Sequence, residues 1–344
     1  NHSELLNMGE FILNGDLARE DESPVLDLNV LPSSVYLNSK EWEFMPSHLT
    51  VMTDGLDVES FTLASGEEQI KLFGKTSKEK ADTLTLNLDR FDISILNSLT
   101  SSDIGIRGAA TGKVDLISPM TSKGILADML CDSMYIADVP LGVLSLGSRW
   151  NEEEQNFELF ARNELDGQSN IDIEGKLSPK DKALDATLSM NRLKVDYAQP
   201  FLADVFSEMS GQISGTITLD GPISNINIAS EDTRLENSLL RIEYTDVPYY
   251  ADGPFHIDNS GVYFDTISIK DRFNGTGSVT GSINWDHFRD LSFNTHIRIN
   301  EIEGINLDER AGEDFYGQVF GTGNVSITGP MNSIVLNVDA VTAK

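Results

Sequence analysis

The chain has 344 residues, 40% of them apolar and 23% charged, a balance that supplies a hydrophobic interior and excludes wholesale disorder. Its 55 acidic against 25 basic residues leave a formal charge of -30, which repels phosphate backbones and excludes nucleic acid as a partner; docking on anionic lipid headgroups is disfavoured for the same reason. The single cysteine, Cys131, has no intrachain disulfide partner and is expected to be buried and inert, and no run of about 18 apolar residues is present to span a bilayer as a helix.

Residues 1 to 32 read as the end of a preceding repeat, and three copies of one unit follow at 33 to 128, 129 to 236 and 237 to 344. The chain opens on Asn1 without a charged-then-apolar leader, so it reads as an excised segment or processed product whose anchor and export signal lie elsewhere. In the first copy, Gly74-Lys-Thr introduces the alternating Leu84, Leu86 and Leu88, a period of two that predicts a half-buried strand. Across the polar pair Asp89-Arg90 the phase slips by one residue, and apolar positions resume at Phe91 and Ile93. An uncorrected slip would send those side chains to the opposite face, so a bulge or sharp bend is predicted at the pair. Residues 93 to 99 carry a weak helical pattern, and Gly108-Ala-Ala-Thr-Gly112 leads into another alternating strand that ends near Pro119.

The second copy opens on Asp138-Val-Pro140, passes Gly175-Lys-Leu-Ser, and alternates through Leu184, Ala186, Leu188 and Met190. Its slip falls at Asn191-Arg192, before Leu193 and Val195. Residues 200 to 209 hold the best helical pattern of the chain, with Pro200 at a permitted first position. Gly211-Gln-Ile-Ser-Gly215 then precedes a strand that ends at Pro222. The third copy repeats Asp246-Val-Pro248, places Val262, Phe264, Ile267 and Ile269 on one strand, and passes Gly281-Ser-Ile. It then alternates through Leu291, Phe293, Ile297 and Ile299, slips at Asn300-Glu301, and resumes at Ile302. Gly317-Gln-Val-Phe-Gly321 leads to Pro330, and Ile334, Leu336 and Val338 form a last strand. Gly108, Gly211 and Gly317 are thus 103 and 106 residues apart.

The fold class is therefore all-β, antiparallel, with on the order of 24 strands and at most one short helix per copy. So much apolar sheet with so few helices must bury itself as a sandwich, a barrel, or one sheet folded lengthwise. Catalysis is not expected. His2, His48, His256, His287 and His296 are scattered without metal-ligand spacing, so no metal or other cofactor is predicted. The carboxylates form no isolated pair in an apolar setting. Gly275-Thr-Gly277 through Gly281 lies between strands rather than opening a helix, which reads as turn or bulge glycine and not a phosphate cradle.

Three segments carry a family resemblance: Ser210-Gly-Gln-Ile-Ser-Gly-Thr-Ile-Thr-Leu-Asp-Gly-Pro, Ile269-Lys-Asp-Arg-Phe-Asn-Gly-Thr-Gly-Ser-Val-Thr-Gly, and Asp314-Phe-Tyr-Gly-Gln-Val-Phe-Gly-Thr-Gly-Asn-Val-Ser-Ile-Thr-Gly-Pro. Through them residues 206 to 338 resemble the C-terminal region of TamB-type proteins, the inner-membrane subunit of the bacterial translocation and assembly module within the AsmA-like group. The resemblance implies an elongated β-taco, a U-shaped antiparallel sheet around an apolar groove, standing in the periplasm as part of an inner-membrane-anchored protein. It also implies phospholipid acyl chains, an outer-membrane BamA/TamA-like barrel protein and client β-strands as partners, with membrane contact through regions outside this segment. The groove would be lined by Leu84, Leu86, Leu88, Phe91, Ile93, Leu184, Leu188, Met190, Leu193, Val262, Phe264, Ile267, Ile269, Phe293, Ile297 and Ile299. The alternative is a passive structural or adhesive spacer made of sealed β-sandwich units.

Overall fold

The computed structural model describes residues 8–20, 23–37, 40–77, 82–99, 105–117, 124–136, 138–203, 205–286, 289–308 and 316–342. Among them the chain is all-β, with 24 strands, and every strand pairing given below is antiparallel. It divides into two compact units, Asn1–Gln168 with Glu174–Ala183, and Ser169–Ile173 with Leu184–Lys344. The division falls inside the second sequence copy.

The first unit holds β1 (Met8–Gly9), β2 (Leu13–Glu20), β3 (Ser23–Val30), β4 (Ser33–Leu37), β5 (Lys40–Phe44), β6 (Ser47–Met52), β7 (Gly55–Ser65), β8 (Glu68–Ser77), β9 (Thr83–Asp92), β10 (Arg107–Ile117), β11 (Gly124–Ile136), β12 (Val139–Asn151) and β13 (Asn156–Glu164). β2, β3, β6 and then β7 to β13 pair each with the next. β7 takes β6 along its first part and β5 at its far end, because Met45-Pro46 interrupts the partner and proline has no N–H for a ladder. Ile93, Ala110, Met129 and Cys131 are buried together, with Leu88, Phe91, Leu144 and Leu146 packed against them. Burial pushes the Cys131 thiol up, which keeps it protonated and unreactive.

β14 (Ile171–Ser178) and β15 (Ala183–Lys194) lead into the second unit. One 3-10 turn and a four-residue helix, α1 (Gln199–Leu202), follow. Then come β16 (Phe206–Pro222), β17 (Asn227–Ile242), β18 (Val247–Pro254), β19 (His256–Asp258), β20 (Gly261–Lys270), β21 (Thr276–Asp286), β22 (Arg289–Leu307), β23 (Gly317–Pro330) and β24 (Val335–Thr342). The helix expected through Met209 stops at Leu202. Phe206, Glu208 and Met209 instead pair with Ile242, Arg241 and Leu240, and those ladder bonds outweigh a weak local helical preference. β16 pairs with β17; β17 takes both β18 and β19; β20 bridges those two; β21 to β24 follow in order. The Asp138 and Asp246 markers are hairpin turns with positive φ, 67° and 51°, at the head of β12 and β18.

The bulges lie where the phase slips. Arg90, Arg192 and Glu301 have φ of 50°, 52° and 50°. Opposite two of them the register jumps, from Leu88 to Phe91 against Gly112 and Ala110, and from Ile299 to Ile302 against Gly323 and Gly321. The backbone N–H freed at each bulge is satisfied in the same way in all three copies. Arg90 donates to Thr111 Oγ1 at 3.0 Å, Arg192 to Ser214 Oγ at 3.2 Å, and Glu301 to Thr322 Oγ1 at 2.9 Å. The residue after each hydroxyl is glycine, Gly112, Gly215 and Gly323, at φ of 148°, 136° and 157°, where a Cβ would strike the backbone of the next strand. The third equivalent of Gly112 is thus Gly323, two residues beyond the Gly321 that spacing alone selects. Gly74, Gly175 and Gly281 lie inside β8, β14 and β21 rather than at turns.

A bulge N–H that loses its hydroxyl acceptor should cost stability. Thr322→Val is expected to lower unfolding free energy by about 1 to 2 kcal/mol in urea titration, with Thr111→Val behaving alike; unchanged midpoints in both would remove the hydroxyl from any role in holding the bulge.

Candidate functional site

In the second unit β18 and β22 are separated along the ladder by β20 and β21, yet they touch. The β20–β21 hairpin turns at residues 271–275, while β18 and β22 run past it and meet beyond its tip. Asn306 N–H donates to the Thr245 carbonyl at 2.9 Å, and the Tyr249 hydroxyl donates to the Glu303 carbonyl at 2.7 Å. A sheet joined this way across two intervening strands is strongly curled, and its apolar face turns inward.

That face bounds a cavity of about 590 Å³, within the range of small-molecule sites, and among the described residues no charged side chain lines it. Of the sixteen expected groove positions, Phe264, Ile267, Ile269, Phe293, Ile297 and Ile299 line it, and so do Ile302, Leu336 and Val338, which alternation also marked. The slip at Asn300-Glu301 does what alternation required: Ile299 before it and Ile302 after it both face the cavity. Val262 is half-buried opposite Ile283 but is not in the lining. Leu184, Leu188, Met190 and Leu193 are half-buried on β15, away from the cavity. Leu84 and Leu86 are half-buried opposite Leu116 and Val114, while Leu88, Phe91 and Ile93 belong to the packed cluster of the first unit. Six of the sixteen positions share this cavity.

Sequence reasoning missed Leu235, Leu240 and Ile242 of β17, which line the same cavity. Their parity changes across Glu236-Asn237, where Asn237 has φ of 44° and the register against β18 jumps from Leu235 to Ser238. The same signal marks β20, where Phe264 and Ile267 flank another jump. On the far wall, Leu336, Val338 and Val341 of β24 line the cavity and are still 51%, 60% and 71% exposed. Among the described residues the cavity is thus a groove, open along β24.

The carboxylates hold a surprise beside the groove. Asp271 and Glu303 are 2% and 0% exposed and adjoin, Glu303 N–H donating to Asp271 Oδ2 at 2.7 Å. The meeting is not an isolated pair in an apolar setting, since Arg272, Gln318 and backbone N–H groups surround it. They are not an acid/base pair, because every demand is met. Arg272 donates twice to Glu303, at 3.0 and 2.7 Å, and Gln318 Nε2 donates at 2.7 Å. Asp271 Oδ1 accepts Phe273 and Gly275 N–H at 2.8 and 2.7 Å. The hydrogen bond to Glu303 raises the Arg272 pKa, and burial, helped by Glu303 and Asp271, raises that of Tyr249. The cluster braces the curled end of the sheet.

Among the described residues no group of three or more His, Cys, Asp or Glu side chains could hold a metal ion, and no helix is long and apolar enough to cross a membrane. His48 lies between Asp27 and Glu59 at 3.7 and 3.4 Å, His256 stacks on Tyr263, and His296 is exposed; His2 and His287 lie outside the described residues. Gly275 closes the tight turn from Asp271 and is followed by β21 with no helix, so it offers no phosphate site of the loop-to-helix kind. Comparisons with protein-family models, curated proteins and solved structures find no match.

Removing the cation from a fully buried carboxylate is costly, so Arg272→Met is expected to destabilise the second unit by about 3 to 5 kcal/mol. Arg272→Met combined with Glu303→Leu should recover much of that loss; denaturation midpoints of the three proteins decide it, and a harmless single substitution would show that the pair holds nothing.

Proposed function

We propose that the chain is a non-enzymatic carrier of phospholipid acyl chains, holding them in the apolar groove of its second unit. The observation that carries this reading is the groove itself, about 590 Å³ and open along β24, with no charged side chain in its lining among the described residues. A polar or ionic ligand would find nothing to replace its hydration there, whereas each buried methylene gains about 0.8 kcal/mol. The TamB-type resemblance supplies the wider setting: a periplasmic bridge, part of an inner-membrane-anchored protein of a Gram-negative envelope, moving lipid between the two membranes. A passive spacer of sealed sandwiches fits the open groove less well.

A second reading has its own support. All eight residues of β24 are exposed, and among the described residues β24 pairs only with β23. Its outer edge is suited to an incoming client strand of an outer-membrane or surface protein, or to a barrel partner of the BamA/TamA type, by strand addition.

Protein purified without denaturation should yield phospholipid on organic extraction, near one molecule or more per groove, and Phe293→Glu should abolish it with the far-ultraviolet spectrum retained. Absence of lipid from the folded wild-type chain would sink the carrier reading. For strand addition, a photo-crosslinker at Val335 or Val341 should capture polypeptide; labelling of lipid alone would leave only the groove.

A further inference from the structure

The groove lining is built in rows that cross the strands. Ile267, Val279, Ile297, Val325 and Val338 stand opposite one another in turn from β20 to β24, and all five line the groove. Beside them runs a second row, Phe264, Gly281, Thr295, Ile327 and Leu336, in which every residue but the glycine is in the lining. Burial runs out along both. Ile267 and Thr295 are 4% and 7% exposed, Val325 and Ile327 are half-buried, and Val338 and Leu336 are 60% and 51% exposed. Each row thus ends on a side chain in solvent, carried by a strand that among the described residues has a neighbour on one side only. The next member of each row is a position about 4.8 Å beyond β24, on a strand added at its edge. Every second residue of such a strand lies beside Leu336 or Val338, and the residues between fall on the face of Asn337 and Asp339. The matching partner is therefore an amphipathic strand, apolar at a period of two.

We infer that an amphipathic β-strand adding to β24 covers the groove over a bound acyl chain, so that strand addition and lipid holding reinforce each other. The inference rests on both the carrier and the strand-addition readings and joins them at one strand. With the groove occupied, the added apolar row meets the lipid tail as well as β24. With the groove empty, the same row faces a void and forfeits those contacts. A strand that binds the loaded chain more tightly must, by linkage, raise lipid affinity by the same factor.

The test uses the full chain, delipidated or loaded with phosphatidylcholine, and a labelled peptide that alternates valine and threonine between terminal lysines. A control peptide has proline in place of its central valine, which keeps the charge and removes a ladder N–H. Peptide affinity is read by fluorescence anisotropy, and lipid affinity by titration with and without saturating peptide. The expected result is roughly fivefold tighter peptide binding to the loaded chain, an equal gain in lipid affinity, and neither effect with the proline peptide. Val338→Thr, which keeps a strand-forming residue and removes an apolar contact, should reduce the gain. Equal peptide affinity for the two forms overturns the inference alone, as does a proline peptide that binds as well. Weaker binding to the loaded chain overturns it too, by showing that strand and tail compete for one space. A peptide that binds neither form removes the strand-addition reading with the inference, whereas a chain that retains no phosphatidylcholine removes the carrier reading with it.

Discussion

Strict alternation is the constraint on which the fold depends. A strand of period two puts every apolar side chain on one face, and with no helix among the described residues longer than the seven-residue 3-10 helix at Ile93–Leu99, that face meets mainly other strands. The sheet must curl, and a regular pleat resists sharp curvature. The extra residue at each bulge supplies it by adding local bend and twist, while returning the apolar phase to the inner face. Arg90, Arg192 and Glu301 are the same solution three times, each with a hydroxyl to receive the freed N–H and a glycine next to it where the neighbouring backbone leaves no space for a side chain.

Curvature of this degree leaves backbone and charge to be satisfied where strands pass one another. Beyond the tip of the β20–β21 hairpin, Glu303 N–H has lost its ladder partner and is taken by Asp271. The same turn brings Arg272 over to Glu303, so one five-residue segment neutralises a fully buried carboxylate and closes the backbone account. Such a cluster adds little net stability over apolar packing, but removing one member leaves a charge stranded. It therefore specifies a single curled arrangement more than it strengthens it.

Fold class and bulge positions were legible because both are written in parity, which is local. Nine of the cavity residues followed from the same parity in β20, β22 and β24. What parity does not carry is which strands converge. Leu88, Phe91 and Ile93 alternate as well as Phe293 and Ile297 do, yet they pack into a filled cluster around Ala110, Met129 and Cys131. Whether a face is filled or left hollow depends on side chains contributed by several strands, a non-local sum. The Asp271–Glu303 meeting was invisible for the same reason: the two lie 32 residues apart, and only the unequal lengths of β18, β20, β21 and β22 bring them together. The length of residues 200 to 209 was misjudged in the opposite way, a local helical pattern yielding to pairing with β17.

The two units set one alternating pattern against two outcomes. In the first, Ile93, Ala110, Met129 and Cys131 pack together and are 9% exposed or less. In the second, bulky residues such as Phe264, Phe293 and Phe320 stand around a space they do not fill. A chain under selection for stability alone would close such a space, since an unfilled apolar cavity forfeits contacts in proportion to its size. Retaining it is consistent with an occupant whose own apolar surface completes the packing.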